Sequence, residues 1–262
     1  MSLPVITKTD WPRLQAEASN RAGPHADFPY SGCQPPEKRL KGFSSLKNWP
    51  TEMPVIPRDA WPELIERGNE TFLSQYRRGR LPPHDQGSTS RCWVHGSVRA
   101  MEVLRLWEGQ PALMLSPDSV AFPIEGTRDR GGYPGDACQQ LSEGGACPLA
   151  AWPERDLSPR RADDDWEEQA LNHVLISWFN VETFEQQMTL AIRRVPIAIG
   201  LRWWGHLVCQ LDPVQIGRND FGIGIDNSWG PDWGNNGYAI LDEESGTADL
   251  GAFAPLSETF SH

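Results

Sequence analysis

The chain has 262 residues, of which 39% are apolar and 23% are charged, an ordinary composition for a globular protein. This length is enough for one two-lobed domain or two small domains. The net charge of -11 argues against nucleic acid or an anionic membrane surface as a partner, because both attract clustered Lys and Arg. No apolar run approaches the ~18 residues of a membrane-spanning helix, so we expect no membrane partner.

The first 57 residues are rich in proline and show little periodicity. The first eight residues lack the charged and apolar regions of a signal peptide, so none is predicted. We expect residues 1–57 to form an extended arm that lies on another surface, with a disordered tail as the alternative. Aromatic residues give the arm apolar groups with which to dock. They are Trp11, Phe28, Tyr30, Phe43 and Trp49.

The segment after the arm carries one short predicted helix and several polar residues. Trp61 to Arg67 predicts the helix, with Pro62 at an early position where proline is tolerated. Arg77 to Arg80 is interpreted as a solvated basic cluster, and a cleavage site is the alternative. His84 is interpreted as a surface loop residue.

The stretch from Gln86 to Gly109 predicts a loop that leads into a buried helix, with Cys92 at the junction. The first turn of a helix offers free backbone N–H groups and the positive end of the dipole, which favour a thiolate. Arg91 would add a positive charge, so we expect a lowered thiol pKa and a nucleophile. The alternative interpretation of this cysteine is a small buried apolar residue. His95 could bind a metal together with Cys92, but no further ligand has suitable spacing.

The second half of the chain changes from helical to β character. A Gly- and Pro-rich region at 118–159 contains a short helical piece near 136–141. Asp163 to Asp165 is interpreted as the solvated start of a helix rather than a cation site. Thr183 and Gln186 form the capping-box pattern of a further helix. Short apolar segments then predict strands. They lie near 195–201, 206–208, 221–226 and 238–241.

Three blocks of sequence stand in a recognisable order. Gln86 is followed six residues later by Cys92-Trp93, and Gly205-His206-Leu207-Val208 comes next. The third block is the run NSWGPDWGNNGY at residues 227–238. A weaker block contains Gly131-Gly132. Together these blocks resemble the papain and cathepsin family of cysteine proteases.

The resemblance covers roughly residues 57–241 and implies an α+β, papain-like fold with two lobes. The domain would span 58–262. A helical lobe at roughly 86–176 would hold the central cysteine-bearing helix, and an antiparallel, β-barrel-like lobe would follow at roughly 177–262. The active-site cleft would lie between the lobes, and neither a cofactor nor a metal is implied.

The resemblance also assigns catalytic roles. Cys92 would attack a peptide carbonyl as a thiolate, His206 would transfer the proton, and Asn227 would orient the imidazole. The side chain of Gln86 and the backbone N–H of Cys92 would hold the oxyanion.

Three further residues are assigned to substrate binding. Gly131 and Gly132 would let an extended peptide pair with the backbone, because glycine allows close approach. Trp229 would cover the bond between the histidine and the asparagine. Between Leu201 and His206 only four residues remain, and their paired tryptophans would fill the space of a longer loop in relatives.

The five cysteines are scattered and odd in number, which indicates a reducing compartment. Thr89 replaces the first cysteine of the family's loop, and residues 127–130 contain none. Cys138 and Cys147 are therefore interpreted as buried free thiols. The expected location is cytoplasmic or virion-associated.

The resemblance favours a cysteine endopeptidase that works through a thioester acyl-enzyme. One alternative is a papain-fold structural or binding subunit of a larger assembly, of viral or phage type, docked through the arm. Another is a transglutaminase or amidase that uses the same three residues. Self-inhibition by the arm is a further hypothesis, although the arm is shorter and richer in proline than propeptides of the family.

Overall fold

The computed structural model describes residue 3 and residues 5–21, 32–35, 47–175 and 177–256. Phe28, Tyr30 and Phe43, which were expected to dock the arm, lie outside the described residues. The arm begins with strand β1 (Val5–Ile6) and helix α1 (Trp11–Arg21). The extended conformation expected for the arm is thus wrong over α1. Leu14 of this helix is fully buried in an apolar cluster, so packing supports the helix there.

In the part of the chain that the structure describes, seven strands form one sheet with the order β1-β6-β5-β4-β3-β7-β2. The remaining strands are β2 (Ser177–Asn180), β3 (Ile197–Leu201), β4 (His206–Gln215), β5 (Phe221–Asp226), β6 (Tyr238–Asp242) and β7 (Ala252–Leu256). Neighbouring strands run antiparallel except β1 and β6, which run parallel. Every residue of β3 and β5 is buried, so these strands lie inside the protein.

Eight further helices accompany the sheet within the described residues. They are α2 (Trp61–Gly68), α3 (Leu73–Arg77), α4 (Cys92–Trp107), α5 (Pro117–Glu125), α6 (Pro134–Glu143), α7 (Trp166–Leu171), α8 (Phe184–Ile192) and α9 (Glu243–Gly246). No helix in the described part of the chain is long and apolar enough to cross a membrane.

Helix α4 packs closely against β3 and β4. A Cβ at Gly96 would lie 2.2 Å from the side chain of Leu207 and 3.1 Å from the backbone of Val208. Glycine therefore lets the helix approach the sheet more closely than any other residue would. This contact places Cys92, at the start of α4, beside the start of β4.

Several elements predicted from the sequence are confirmed. Helix α4 begins at Cys92, as its loop-to-helix pattern indicated. The Oγ1 of Thr183 accepts the backbone N–H of Gln186 at 3.2 Å and so caps α8. All five cysteines are free and buried, including Cys138 and Cys147. The α+β class is confirmed, whereas the domain limits remain a prediction.

Two polar residues of the segment before α4 differ from expectation. Arg77 is buried, with its Nε 2.7 Å from Oδ2 of Asp226, so the solvated cluster begins only at Arg78. His84 is also buried rather than a surface residue. An isolated arginine or histidine in a polar sequence does not reveal a buried acidic partner far along the chain, which explains both errors.

Candidate active site

Cys92 is the first residue of α4, and its side chain is buried. The backbone N–H groups of Leu207 and Trp93 face the sulfur. Burial raises the pKa of Cys92 to about 12, although these N–H groups lower it. The lowered pKa expected from the sequence is wrong for this state, because removing the thiolate from water outweighs the helix terminus.

Arg91 is directed at two carboxylates and not at the thiol. Its buried guanidinium donates from Nε to Glu125 at 3.1 Å, and Nη1 donates to Asp118. Burial raises the pKa of Glu125 to about 7, against the lowering effect of Arg91. The arginine thus joins its loop to α5, and the role of thiolate stabilisation expected for it is wrong.

His206 begins β4 and forms a hydrogen bond with Asn227, the residue after β5. Nε2 of His206 lies 2.7 Å from Oδ1 of Asn227. The backbone N–H of Ser228 donates to the same Oδ1 at 2.9 Å, which orients the amide. Because an amide oxygen only accepts, Nε2 carries a proton and Nδ1 remains available to accept one. Burial lowers the pKa of His206 to about 4, although Asn227 raises it.

Tryptophan rings surround the imidazole of His206. The ring centroids of Trp204 and Trp229 lie 4.8 Å and 5.1 Å from that of the imidazole. The same two tryptophans contact each other edge to face at 5.5 Å. All three side chains are buried, so the rings keep water from the bond between the histidine and the asparagine.

Gln86 forms hydrogen bonds with Ser228, the residue that follows Asn227. The backbone N–H of Gln86 donates to the carbonyl of Ser228 at 2.8 Å, and Oγ of Ser228 donates to Oε1 of Gln86 at 2.6 Å. Nε2 of Gln86 donates one hydrogen to the carbonyl of Thr89 at 2.7 Å. The second amide hydrogen is the one that could serve an oxyanion.

Residues 32–34 of the arm lie across the site. The backbone N–H of Gln34 donates to the carbonyl of Gly132 at 2.8 Å, and the N–H of Gly132 donates to the carbonyl of Gly32 at 2.9 Å. The N–H of Cys33 donates to the carbonyl of Gly205 at 3.3 Å. This segment therefore pairs with Gly132 on one side and with the loop before His206 on the other.

The arm also contacts the sulfur of Cys92. A Cβ at Gly32 would lie 2.5 Å from this sulfur and 3.1 Å from the carbonyl oxygen of Ser90. The side chain of Cys33 belongs to a buried cluster beside the site. The other members of this cluster are Cys92, Ala198, Leu207 and Leu250. The arm thus adds to the burial of the predicted nucleophile.

Solved structures share this arrangement of helices and strands. Xylellain, a cysteine protease from Xylella fastidiosa, matches with a TM-score of 0.64 at 17% identity over 87% of this chain and 97% of its own. The chain has the papain-like fold. Procathepsin L 3 from the larval midgut of Tenebrio molitor matches with a TM-score of 0.62 at 15% identity, over 95% and 90% of the two chains. Bromelain from Ananas comosus, in complex with the E64 inhibitor, matches with a TM-score of 0.57 at 17% identity, over 71% and 98%.

Comparisons by sequence, unlike those by structure, give no match. No protein-family model matches the chain. A search of curated proteins also finds no match. The likeness to known cysteine proteases is therefore one of papain-like fold.

The papain-like fold brings most of the predicted site residues together. Gln86 is hydrogen-bonded to Ser228, which follows Asn227 in the sequence. Cys92 faces the backbone of Leu207, which follows His206 in the sequence. Gly132 pairs with the arm, and Gly131 has a φ of 74° that favours glycine. A Cβ at Gly132 would lie 2.5 Å from the ring of Trp93, so glycine is also required there by packing.

Sequence reasoning missed two parts of the site. The first is Ser228, whose hydroxyl and backbone hold both Gln86 and Asn227; its position inside the third motif was a usable signal. The second is the segment at 32–34: self-inhibition by the arm was a hypothesis without named residues, because this backbone pairing has no pattern in the sequence.

His95 was considered as a metal ligand together with Cys92. In the described part of the chain no group of His, Cys, Asp and Glu side chains could hold a metal. Nδ1 of His95 instead lies 2.8 Å from the carbonyl oxygen of Arg91.

Proposed function

We propose that the chain is a cysteine endopeptidase that hydrolyses peptide bonds through Cys92, His206 and Asn227. The observation that carries the proposal is the 2.7 Å hydrogen bond between His206 and Asn227, with the sulfur of Cys92, at a helix N-terminus, against the backbone of Leu207, the residue after His206. This bond fixes the imidazole with Nδ1 available as a base. The cysteine proteases that share the fold support the same reaction class.

In the first half of the reaction, Cys92 would give its proton to Nδ1 of His206 while its sulfur attacks the carbonyl carbon of a peptide. The backbone N–H of Cys92 and Nε2 of Gln86 would stabilise the oxyanion, and one such donor is typically worth about 3–4 kcal/mol. The carbon–nitrogen bond then breaks, His206 protonates the leaving amine, and a thioester remains on the sulfur.

In the second half, water would attack the thioester carbonyl while His206 accepts a proton from it. The tetrahedral adduct collapses, the carbon–sulfur bond breaks, and the carboxylic acid product leaves. The thiol of Cys92 is regenerated with the proton that the imidazole returns.

We infer that the peptide substrate occupies the place of the arm. The backbone groups of Gly132 already bond to an extended segment, which is how a peptide pairs with an exposed backbone edge. Gly131 would keep this loop in its left-handed conformation, and Trp229 would shield the imidazole. Because Gly32 lies against the sulfur of Cys92, a substrate carbonyl cannot reach that sulfur. We therefore infer that the full chain is inactive until the arm leaves the site.

The test compares the chain with Gly32→Val in hydrolysis of a mixed library of fluorogenic peptides. A valine at this position would clash with the sulfur of Cys92 and crowd the carbonyl oxygen of Ser90, so it should displace the arm. The variant should then hydrolyse peptides, while the unaltered chain does so slowly. Adding Cys92→Ala or His206→Ala to Gly32→Val should abolish turnover. If Gly32→Val gives no hydrolysis although Cys92 is open to an alkylating reagent, the endopeptidase proposal is contradicted. A papain-fold subunit of a larger assembly is then favoured.

A further inference from the structure

A chain of buried charges lies behind Gln86 and Asn227. We call it the buried charge chain, and the proposed reaction uses none of its members. They are Arg77, Asp226, Arg99, Glu102, His84 and Glu154. It connects α3 and β5, at one end, to α4 and to the loop that precedes Gln86.

Each contact in the buried charge chain joins opposite charges. Nε of Arg77 lies 2.7 Å from Oδ2 of Asp226, and Nε of Arg99 lies 3.5 Å from the same oxygen. Nη1 of Arg99 lies 3.0 Å from Oε2 of Glu102. These four side chains are almost wholly buried. Burial of this kind costs much free energy unless each charge is paired, so the partners must hold defined positions.

His84 bonds to two carboxylates at once. Nε2 lies 3.1 Å from both oxygens of Glu102, and Nδ1 bonds to Glu154. Since ionised carboxylates only accept, this geometry requires an imidazolium that donates from both nitrogens. Other charged or titratable groups near the ring are Arg99, His95 and Asp226, which line a cavity together with His84. The ring centroid of His95 is 5.6 Å from that of His84.

The same imidazolium is connected to the loop of the proposed oxyanion donor. Glu154 forms a hydrogen bond with His84 through one carboxylate oxygen. Its other oxygen, Oε2, accepts a hydrogen bond from the backbone N–H of Asp85 at 3.2 Å. The carbonyl of His84 accepts the backbone N–H of Gly230 at 2.9 Å. Asp85 directly precedes Gln86, so the side chain of His84 is two hydrogen bonds away from the backbone that carries the oxyanion donor.

We propose that His84 is a positioning residue for Gln86, and that its imidazolium fixes the loop at Asp85 by holding Glu154 in place. This inference rests on the proposed endopeptidase function. When the ring loses a proton, one of its nitrogens faces a carboxylate with no hydrogen between them. The hydrogen bond from Asp85 to Glu154 then weakens, and Gln86 is positioned only by its bonds to Ser228 and Thr89.

Because the positioning of Gln86 would depend on a protonated His84, it would operate only over a limited pH range. Burial disfavours the imidazolium, but Glu102 and Glu154 outweigh it and raise the pKa of His84 to about 9. The ring is therefore protonated at neutral pH and loses its proton on the alkaline side. Positioning of Gln86 should be intact at pH 7 and should fail as the pH rises through about 9.

The first experiment follows the side-chain amide of Gln86 by nuclear magnetic resonance in the full chain between pH 6 and 10.5, with assignment from its absence in Gln86→Glu. We expect one shift with a midpoint near the pKa of His84, no such shift in His84→Gln, and a shift moved to higher pH in His84→Lys. A Gln86 signal that stays constant while His84 titrates would overturn the proposal. If His84→Gln does not fold, the unaltered chain and His84→Lys still decide the question.

The second experiment measures kcat and KM for the same substitutions in the Gly32→Val background. His84→Gln should lower kcat about tenfold or more with little change in KM, because an oxyanion donor acts in the transition state. His84→Lys should restore kcat, since an ammonium can also bond to both carboxylates. A fall in thermal stability with unchanged kcat would mean a purely structural role and would overturn the inference. Absence of hydrolysis in every variant would instead contradict the endopeptidase proposal, and the resonance measurement would still decide the positioning of Gln86.

Discussion

Gly32 lies directly on the sulfur of Cys92, where a Cβ would be only 2.5 Å from it. The contact joins a residue of the N-terminal arm to the first residue of the central helix. A larger side chain would have to displace either the sulfur or the segment, and the backbone oxygen of Ser90, 3.1 Å from the same Cβ, limits the space further. The burial of Cys92 therefore depends on the position of the arm.

The first prediction concerns the accessibility of this thiol. Gly32→Val should displace residues 32–34 and raise the rate of iodoacetamide labelling at Cys92 by tenfold or more, on the order expected when a buried thiol becomes exposed. The rate is measured at pH 7 by mass spectrometry of the peptide that contains Cys92. Ala16→Val is the matched control, since it adds the same bulk to an exposed position of the arm and should leave the rate unchanged. Equal rates in both variants would mean that the arm does not protect the sulfur.

The second prediction is the pH dependence of the labelling. In the full chain, burial raises the pKa of Cys92 to about 12, so the thiolate is scarce at neutral pH and labelling should rise about tenfold per pH unit between 7 and 10. In Gly32→Val, water reaches the sulfur, and the helix terminus and His206 should favour a thiolate–imidazolium pair. Labelling of this variant should stay fast down to about pH 5, far below the ordinary thiol pKa. Adding His206→Ala should restore the steep dependence, and a steep profile in Gly32→Val itself would contradict an activated thiol.

The sequence was sufficient for the elements that carry local patterns. Helix α4 was predictable because its apolar residues recur at helical spacing after a run of turn residues, and β5 because a short apolar run lies between polar residues. The three motif blocks predicted that Gln86, Cys92, His206 and Asn227 belong to one site. Each of these signals lies within a short stretch of chain.

Contacts between distant segments were not predictable in the same way. The burial of His84 depends on Glu102 and Glu154, and that of Arg91 on Asp118 and Glu125, and no local pattern connects such pairs. The pKa of Cys92 was expected to fall because of the helix terminus, and burial was only the alternative interpretation, because the contact with the arm that completes the burial has no local pattern. Burial arises from the whole fold, and here it reverses the direction of the shift.

The third prediction is a pH range of maximal stability set by His84 and Glu154. Burial disfavours the Glu154 carboxylate, but His84 outweighs it and lowers the pKa of Glu154 to about 2, so this stabilisation is present above about 4.5 and is lost as the pH falls through 2. The raised pKa of His84 gives stabilisation that is complete below about 6.5 and is lost as the pH rises through about 9. The free energy of unfolding should therefore have its maximum between about pH 4.5 and 6.5 and fall by roughly 3 kcal/mol towards either limit.

Urea unfolding at a series of pH values measures this range. The lowered pKa of Glu154 arises from its pair with His84, whereas the raised pKa of His84 arises first from Glu102 and then from Glu154. Because the two shifts share one ion pair, their contributions are not added. Glu154→Gln should flatten the acid side of the profile, because the substituted amide does not titrate. An acid side that is equally steep in this variant would assign the loss of stability to other carboxylates.

The fourth prediction compares a buried arginine with an exposed one. Arg91→Met leaves Asp118 and Glu125 buried without their cation, which should lower the free energy of unfolding by about 3–5 kcal/mol at pH 8. The loss should be smaller at pH 5, because burial raises the pKa of Glu125 to about 7 and the neutral acid needs no cation. Arg67→Met is the matched control. Arg67 pairs with Glu63 on the surface with 72% of its side chain exposed, and its loss should cost less than about 1 kcal/mol. Urea unfolding of both variants at the two pH values tests this, and a loss from Arg91→Met that does not depend on pH would exclude Glu125 as the titrating group.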